Sequence, residues 1–253
     1  MSVVSHGQAQ LVKLLLDDLK KLTVSKDIVV TLTLNIPETL PFDAATFPFH
    51  VRIEKNEKVK GFGANHNAAF QKHQNDSTYF CVVNPDIRIN KDPFAALIAC
   101  LKNDAIGLVA PMIVGENGKQ EDSVRTFPTP FKILCKVFGI GIGSDYDLKN
   151  EPIYPDWVGG MFMLFPRKIF DKLNGFNERF FLYYEDVDLC ARLRLLGYEI
   201  VMCPSSEAVH HARRSSHRSI KYLKWHITSM LRFFLSSVFL QIMWRKFSRM
   251  NGR

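Results

Sequence analysis

The chain lacks any paired cysteine motif. Its five cysteines, Cys81, Cys100, Cys135, Cys190 and Cys203, are odd in number, scattered and set among apolar neighbours. That speaks against a disulfide framework or a zinc site and for buried free thiols in a reducing compartment. The first residues, MSVVSHGQAQ, have neither the basic start nor the apolar core of a signal peptide. No run of about 18 apolar residues is present, so no spanning helix is expected. Two nucleotide signatures are also missing. GFGANH has Gly61 and Gly63 but His66 where a dinucleotide fingerprint needs a third glycine, and the lysine of a P-loop is absent. Acids are missing from the end of the chain: Ala208 to Arg253 holds ten Lys or Arg and no Asp or Glu. The formal charge of +8 therefore comes from this tail, because the remaining 207 residues carry 23 basic and 25 acidic side chains. Such asymmetry points to an anionic partner: a membrane, a nucleic acid or a phosphorylated substrate.

What is present is enough for one large α/β domain: 253 residues, 47% of them hydrophobic. SVV reads as a short strand and LVKLLLDDLKKL as an amphipathic helix. DIVVTLTLNIP alternates and stops at Pro37, HVRIEKN is a third strand, and GFGANHNAAF is a glycine turn opening a helix. YFCVVN gives a strand, DPFAALIACLKN a helix with Asp92 as N-cap and Pro93 at its first position, and AIGLVAPMIV another strand. This alternation predicts a mostly parallel, helix-covered sheet. Residues 115–156 are rich in Gly, Asp, Asn and Pro and read as a long excursion over a substrate cleft. DWVGGMFMLFPRKIFDKLNGF then supplies a strand, a proline break and a short helix. EDVDLCARLRLLGY is a helix stopped by Gly197, and EIVMCP a last strand.

Three stretches can carry chemistry. In YFCVVNPDIRIN, Pro85 cannot donate to a ladder, so the strand ends and Asp86 stands at its carboxyl edge, where open α/β sheets bind ligands; a plain turn remains the alternative. In YYEDVDLC, Glu185 and Asp188 share a helix face while Asp186 points elsewhere. Leu189, Leu193 and Leu196 form the buried stripe, which leaves the acids at an exposed helix mouth, suited either to capping or to catalysis. In AVHHARRSSH, His210 or His211 at a strand end can converge with Asp86 on one divalent ion, Mn²⁺ or Mg²⁺. The tail interleaves aromatics and leucines with Lys and Arg, with Trp225 and Trp244 near its two ends. It reads as basic amphipathic helices lying on a membrane, with packing onto the domain as the alternative. A cut after about residue 232 is then expected to free the protein from membranes while leaving transfer to a soluble acceptor partly intact.

Taken in order, GFGANHNAAF, VVNPDIRI, the block from Asp156 to Tyr198 and AVHHARRSSHRS resemble the inverting family 2 glycosyltransferases of GT-A fold. SVRTFPTPF and FGIG are similar to the bacterial O-antigen rhamnosyltransferases within that family. The likeness runs from about Ser2 to Phe234. It implies an α/β GT-A fold, a Rossmann-like, mostly parallel sheet flanked by helices, with a glycosyltransferase domain over 1–212. Residues 1–114 would bind the nucleotide sugar and 115–212 the acceptor, with residues 213–253 a basic amphipathic helical segment. Asp86 matches the last acid of the family's DxD-type motif and would ligate a divalent metal on the donor diphosphate; Asn84 stands where that motif begins, an amide in place of a carboxylate. His210 matches the late metal-binding histidine, with His211 as substitute. Asp186 would be the general base, with Glu185 as its rival and as an acceptor contact. Trp157, Gly159 and Gly160 match the acceptor wall, and Arg125 would face the donor. Ser5, His6 and Asn35 would frame the nucleotide, joined by Gly63 and Asn67 from the glycine stretch; Asn35 replaces an acid frequent in the family. The implied donor is dTDP-L-rhamnose, with UDP-galactose, UDP-galactofuranose or UDP-N-acetylglucosamine as alternatives. The implied acceptor is a polyprenyl-diphosphate-linked saccharide in O-antigen or other cell-surface polysaccharide synthesis. The expected location is the bacterial cytoplasm, peripheral on the inner face of its membrane. A nucleic-acid-binding module is the contrasting class, disfavoured because the basic residues come without a reading motif.

Overall fold

Period-two alternation at Ser2–Ser5 (β1), Val29–Leu34 (β2), His50–Lys55 (β3) and Tyr79–Val83 (β4) builds four neighbouring parallel strands. The computed structural model describes residues 1–72, 77–140, 143–146, 151–211 and 220–250. Helices α1 (Ala9–Leu19) and α2 (Phe62–Lys72) connect these strands. β5 (Ile87–Arg88), α3 (Phe94–Cys100) and β6 (Ile106–Gly115) follow. β7 (Val124–Arg125), α4 (Pro130–Val137) and β8 (Trp157–Val158) lie within or just after the predicted excursion. β9 (Phe162–Pro166), α5 (Arg167–Lys172), α6 (Glu185–Leu195), β10 (Glu199–His210), α7 (Ile220–Phe234) and α8 (Ser237–Met250) complete the chain.

The main sheet has the order β3-β2-β1-β4-β9-β6-β10-β5, and β7 pairs with β8 in a separate ribbon. Its first half is parallel, as the alternation predicts. The second half is mixed: β9 runs antiparallel to both β4 and β6, and β5 antiparallel to β10. β9 arrives from the excursion and not from a crossover helix, so an antiparallel slot is open to it. Residues alternate between two apolar layers, Phe80 and Val82 facing one and Cys81 and Val83 the other. Leu15, Leu16 and Leu97 fill the layer under α1 and α3, while Leu189, Leu193 and Phe170 fill the layer under α5 and α6.

Local differences from the sequence reading have simple causes. α3 begins at Phe94, with Pro93 in the cap position, yet Asp92 Oδ1 still accepts the Phe94 N–H at 2.9 Å. β10 does not stop at Pro204. A register break between Cys203 and Glu207 absorbs the missing proline donor, and pairing resumes through His210 opposite Gly115. The strand therefore ends in the histidine expected to follow it.

The basic tail is joined to the body. Phe233 is completely buried, and Phe239 and Ile242 join the same apolar layer. Trp225 lies over Phe181 with ring centroids 4.7 Å apart, and Arg245 Nη1 donates to the Arg194 carbonyl at 2.6 Å. The domain boundary expected at residue 212 falls outside the described residues. No single described helix is long and apolar enough to cross a membrane; α7 and α8, bent by 56°, satisfy such a test only as a pair, by length and composition.

Candidate active site

Ser5 and His6, Asn35, and Asn84 with Asp86 stand at the carboxyl ends of β1, β2 and β4, the ligand-binding edge of an open α/β sheet. Ser5, fully buried, accepts the Gln8 N–H at 3.1 Å through its hydroxyl, and His6 beside it is exposed. Asn35 spends its amide inside the protein. Its oxygen accepts from Lys60 N and Asn56 Nδ2, both at 2.9 Å, and its nitrogen donates to the Lys60 carbonyl at 2.9 Å. Asn67, also expected at the donor, clamps the turn after α5, with Oδ1 accepting Phe176 N at 2.8 Å and Nδ2 donating to Phe176 O at 2.9 Å. Gly63 serves packing: a Cβ there would stand 2.5 Å from Phe176 Cβ.

Asp86 and His210 do meet. β5 pairs with the end of β10, His211 N donates to the Asp86 carbonyl at 2.9 Å, and His210 Nε2 lies 3.4 Å from Asp86 Oδ2. His210 Nδ1 is 2.7 Å from Glu121 Oε2, a partner the sequence reading missed. Burial opposes a charge on His210, but the hydrogen bonds and charges of Asp86 and Glu121 outweigh it and push the imidazole up to about 9. His211 turns to Glu116 at 3.1 Å instead. Asp86 Oδ1 is buried without a hydrogen-bond partner in the protein. Among the described residues, no group of three or more His, Cys, Asp or Glu is placed to cage a metal. The unused Asp86 oxygen nonetheless fits a hard divalent ion that draws its other ligands from a diphosphate and water, and His210 could join it by giving up the proton it shares with Asp86.

The mouth of α6 differs from the expected exposed cluster of acids. Glu185 and Asp188 are buried, Leu196 is exposed, and Asp186 alone of the three acids is partly open. Asp188 accepts from Arg192 Nε at 2.7 Å, and Arg192 in turn holds the carbonyls of Leu173 and Gly175. Asp186 accepts from Gly160 N at 3.1 Å and Val187 N at 2.8 Å. Glu185 Oε2 is buried without a partner. Burial raises both carboxyls, Glu185 further because Asp186 lies beside it; Val187 and Gly160 pull Asp186 back. Of the two, Asp186 is the one held by backbone N–H donors, which favour its charged form. Tyr183 and Tyr184 enter the helix at φ of 69° and 66°. Two consecutive bulky residues in the left-handed region cost about 1–2 kcal/mol each, strain of the kind that collects at working sites.

A cavity of about 380 Å³ holds Asp186 together with Arg125, Lys132, Trp157, Tyr183, Tyr184 and His226. β7 places Arg125 opposite Trp157 on β8, with the guanidinium 5.9 Å from the ring centroid. Arg125 also pairs with Asp122 at 2.5 Å. Three successive residues join this cavity to the Asp86 side: Gly159 N donates to Ser123 O, Gly160 N to Asp186, and Met161 O accepts from Asn84 N. A Cβ at Gly160 would lie 3.3 Å from the Phe62 ring and 3.7 Å from Asp186 Cβ, so glycine keeps this crossing open. Two larger cavities, of about 580 and 440 Å³, lie at the amino ends of the strands around Tyr79 and Arg167 and contain none of the candidate residues.

Sequence reasoning missed Glu121, His226 and Asp145. Asp145 anchors the excursion by accepting Thr126 N at 2.9 Å and pairing with Lys132. Each is a single residue whose partner lies far away in sequence, so no spacing announces it. The acid run preceding SVRTF was the one available hint.

Residues 144–218 match the family model described as the N-terminal domain of galactosyltransferase. The chain is 28% identical to the rhamnosyltransferase WbbL of Escherichia coli, over 91% of this chain and 90% of that one. It is 30% identical to the N-acetylglucosaminyl-diphospho-decaprenol L-rhamnosyltransferase of Mycobacterium tuberculosis, over 54% of this chain and 48% of that one. The mannosyltransferase PcManGT of Pyrobaculum calidifontis, solved with GDP-Man and Mn²⁺, superposes with a TM-score of 0.61 at 16% identity, over 91% of this chain and 63% of that one. The chain thus has the GT-A fold, and these likenesses support a glycosyltransferase enzyme. Its relatives include rhamnosyltransferases.

Proposed function

We propose that the chain moves L-rhamnose from dTDP-L-rhamnose onto a polyprenyl-diphosphate-linked saccharide, by single displacement with inversion, in O-antigen or related cell-surface polysaccharide synthesis. The observation that carries this is Asp186: a carboxylate oriented by Gly160 N and Val187 N, in an aromatic cavity three residues of chain away from the Asp86 side. In this reading Asp186 takes the proton of the acceptor hydroxyl as that oxygen attacks the sugar carbon. Trp157, Gly159 and Gly160 bound the acceptor sugar, and Arg125, its fork suited to phosphate, faces the donor. Ser5, His6 and Asn84 border the nucleotide side. Asp86 and His210 would hold the divalent ion, Mn²⁺ or Mg²⁺. When bound, that ion neutralises the charge developing on the departing nucleotide diphosphate. The enzyme works in the bacterial cytoplasm, at the inner face of the membrane, where its basic tail complements anionic lipid.

Support for the rhamnose donor comes from the two relatives; the mycobacterial one is itself a decaprenol-linked rhamnosyltransferase. The galactosyltransferase model over 144–218 favours a second reading, a UDP-sugar donor. A thermal-shift and hydrolysis panel of nucleotide sugars with Mn²⁺ or Mg²⁺ separates the two: stabilisation by dTDP-L-rhamnose alone is expected, and a response only to UDP-sugars overturns the first. Asp186→Asn should lower transfer by about 10²–10⁴-fold while donor binding persists. Turnover at the wild-type rate would remove Asp186 from the base role.

A further inference from the structure

The catalytic cavity is bordered by two helices that turn large apolar side chains to solvent. α4 contributes Lys132 and Ile133 to the cavity, and α7 contributes His226. α4 is anchored, with Lys132 Nζ donating to Thr126 Oγ1 at 2.7 Å and pairing with Asp145. Even so, Phe131, Leu134 and Phe138 remain 75%, 55% and 71% exposed. Their i, i+3, i+7 spacing makes one stripe. On α7, Leu223, Ile227 and Leu231 form a second exposed stripe, on the side away from buried Ser229 and Phe233. Trp244 and Phe247, one turn apart on α8, form a third. The docking of both tail helices leaves all three uncovered.

We propose that these stripes are one bilayer-contacting surface, and that α4, within the excursion, inserts beside the tail so that the cavity holding Asp186 meets the lipid face. The partner is an anionic phospholipid surface. Charge decides this against a second copy of the chain: α7 carries exposed Lys221 and Lys224, and neither α7 nor α8 contains an acid. Two such surfaces facing each other repel, whereas anionic headgroups complement them. Lys221 and Lys224 lie on α7 among the exposed leucines, while Phe131 and Trp244 are the side chains that enter the acyl boundary. The contact deepens the acceptor reading above, on which its orientation rests: a polyprenyl-linked saccharide reaches the base without leaving its membrane.

The test is flotation of the full chain with phosphatidylglycerol-containing or pure phosphatidylcholine vesicles. It compares wild type with Phe131→Ser/Leu134→Ser/Phe138→Ser and with Trp244→Ser/Phe247→Ser, thermal transitions confirming that each variant folds. Wild type should bind the anionic vesicles, and the α4 variant should bind about tenfold more weakly or worse. That variant should also lose transfer to a vesicle-embedded acceptor but keep it on a short-chain soluble one. The α8 variant, which leaves α4 untouched, should weaken binding as well. Undiminished vesicle binding by the α4 variant overturns the proposal. So does a wild-type chain that ignores vesicles and forms dimers that the same substitutions dissociate. If vesicle binding follows the prediction but no rhamnose is transferred by any form, the surface stands and the donor reading falls.

Discussion

Glu121 decides which way His210 faces. With Nδ1 held 2.7 Å from Glu121 Oε2, the other nitrogen is left on the side of Asp86. A carboxylate behind a ligating imidazole typically governs metal affinity by ten- to a hundredfold. Glu121→Gln should weaken Mn²⁺ binding by about tenfold, read from the free-ion resonance signal without any donor present. Equal affinity would show that the contact does not orient the ring. The Glu185–Asp186 pair makes a second claim at this scale. Transfer needs Asp186 ionised, and burial beside Glu185 raises its carboxyl, so activity should fall with acidification at a pH above the ordinary aspartate range. Replacing Glu185 with Gln removes the partner that couples to Asp186 and should shift that acidic limb of the pH–rate profile. An unmoved limb would mean the two carboxyls do not share their titration.

α7 shows why a whole element was harder to place from sequence than a single motif. Aromatic residues interleaved with lysine and arginine read alike whether the helix lies on lipid or on its own domain, because period and charge are the same in both cases. The structure uses both faces: Ser229 and Phe233 point inward, and Leu223, Ile227 and Leu231 point outward. Cutting after residue 232 therefore does more than the tail-as-anchor reading expects. It removes Phe233, Phe239 and Ile242 from the apolar layer that packs α6. The truncated chain should lose its cooperative thermal transition or melt far lower, and Phe233→Ala alone should cost about 3–5 kcal/mol in urea unfolding. Full stability in the truncated chain would mean that α7 and α8 dock only weakly. The strands, by contrast, were legible, since β-branched alternation in DIVVTLTL and YFCVV admits little else. The continuation of β10 past Pro204 was not, because a proline that ends an isolated strand can be accommodated by a bulge once β6 supplies a partner. The shared face of Glu185 and Asp188 was legible, but its burial was not: Arg192, one turn on from Asp188, also binds the carbonyls of Leu173 and Gly175 just after α5, contacts that no spacing within α6 announces.

At the scale of the molecule, the Asp86 side of the cleft depends on an ion pair beneath it. Asp18, at the end of α1 and only 3% exposed, accepts Arg88 Nε at 2.6 Å, Arg88 Nη2 at 2.9 Å and Ile89 N at 3.2 Å. The pair fastens the first helix to β5, two residues beyond Asp86, and so links the nucleotide half of the sheet to the strand that carries His210. Burial opposes the charge on Asp18, but the Arg88 fork, the Ile89 N–H and Lys21 outweigh it and hold the carboxyl below its usual range. A carboxylate depressed on folding contributes stability that is present above its unfolded value and lost as pH falls through its folded value. Wild-type stability should therefore decline on acidification below about pH 4, the ordinary aspartate range. Asp18→Asn should be less stable by about 3 kcal/mol at neutral pH, because Arg88 is left with an uncharged partner in a largely buried site. It should also lose less on acidification, having no charge there to give up. Urea midpoints for both chains at neutral and acidic pH measure this directly; two curves that run parallel across that range would show that Asp18 carries no pH-dependent share of the fold.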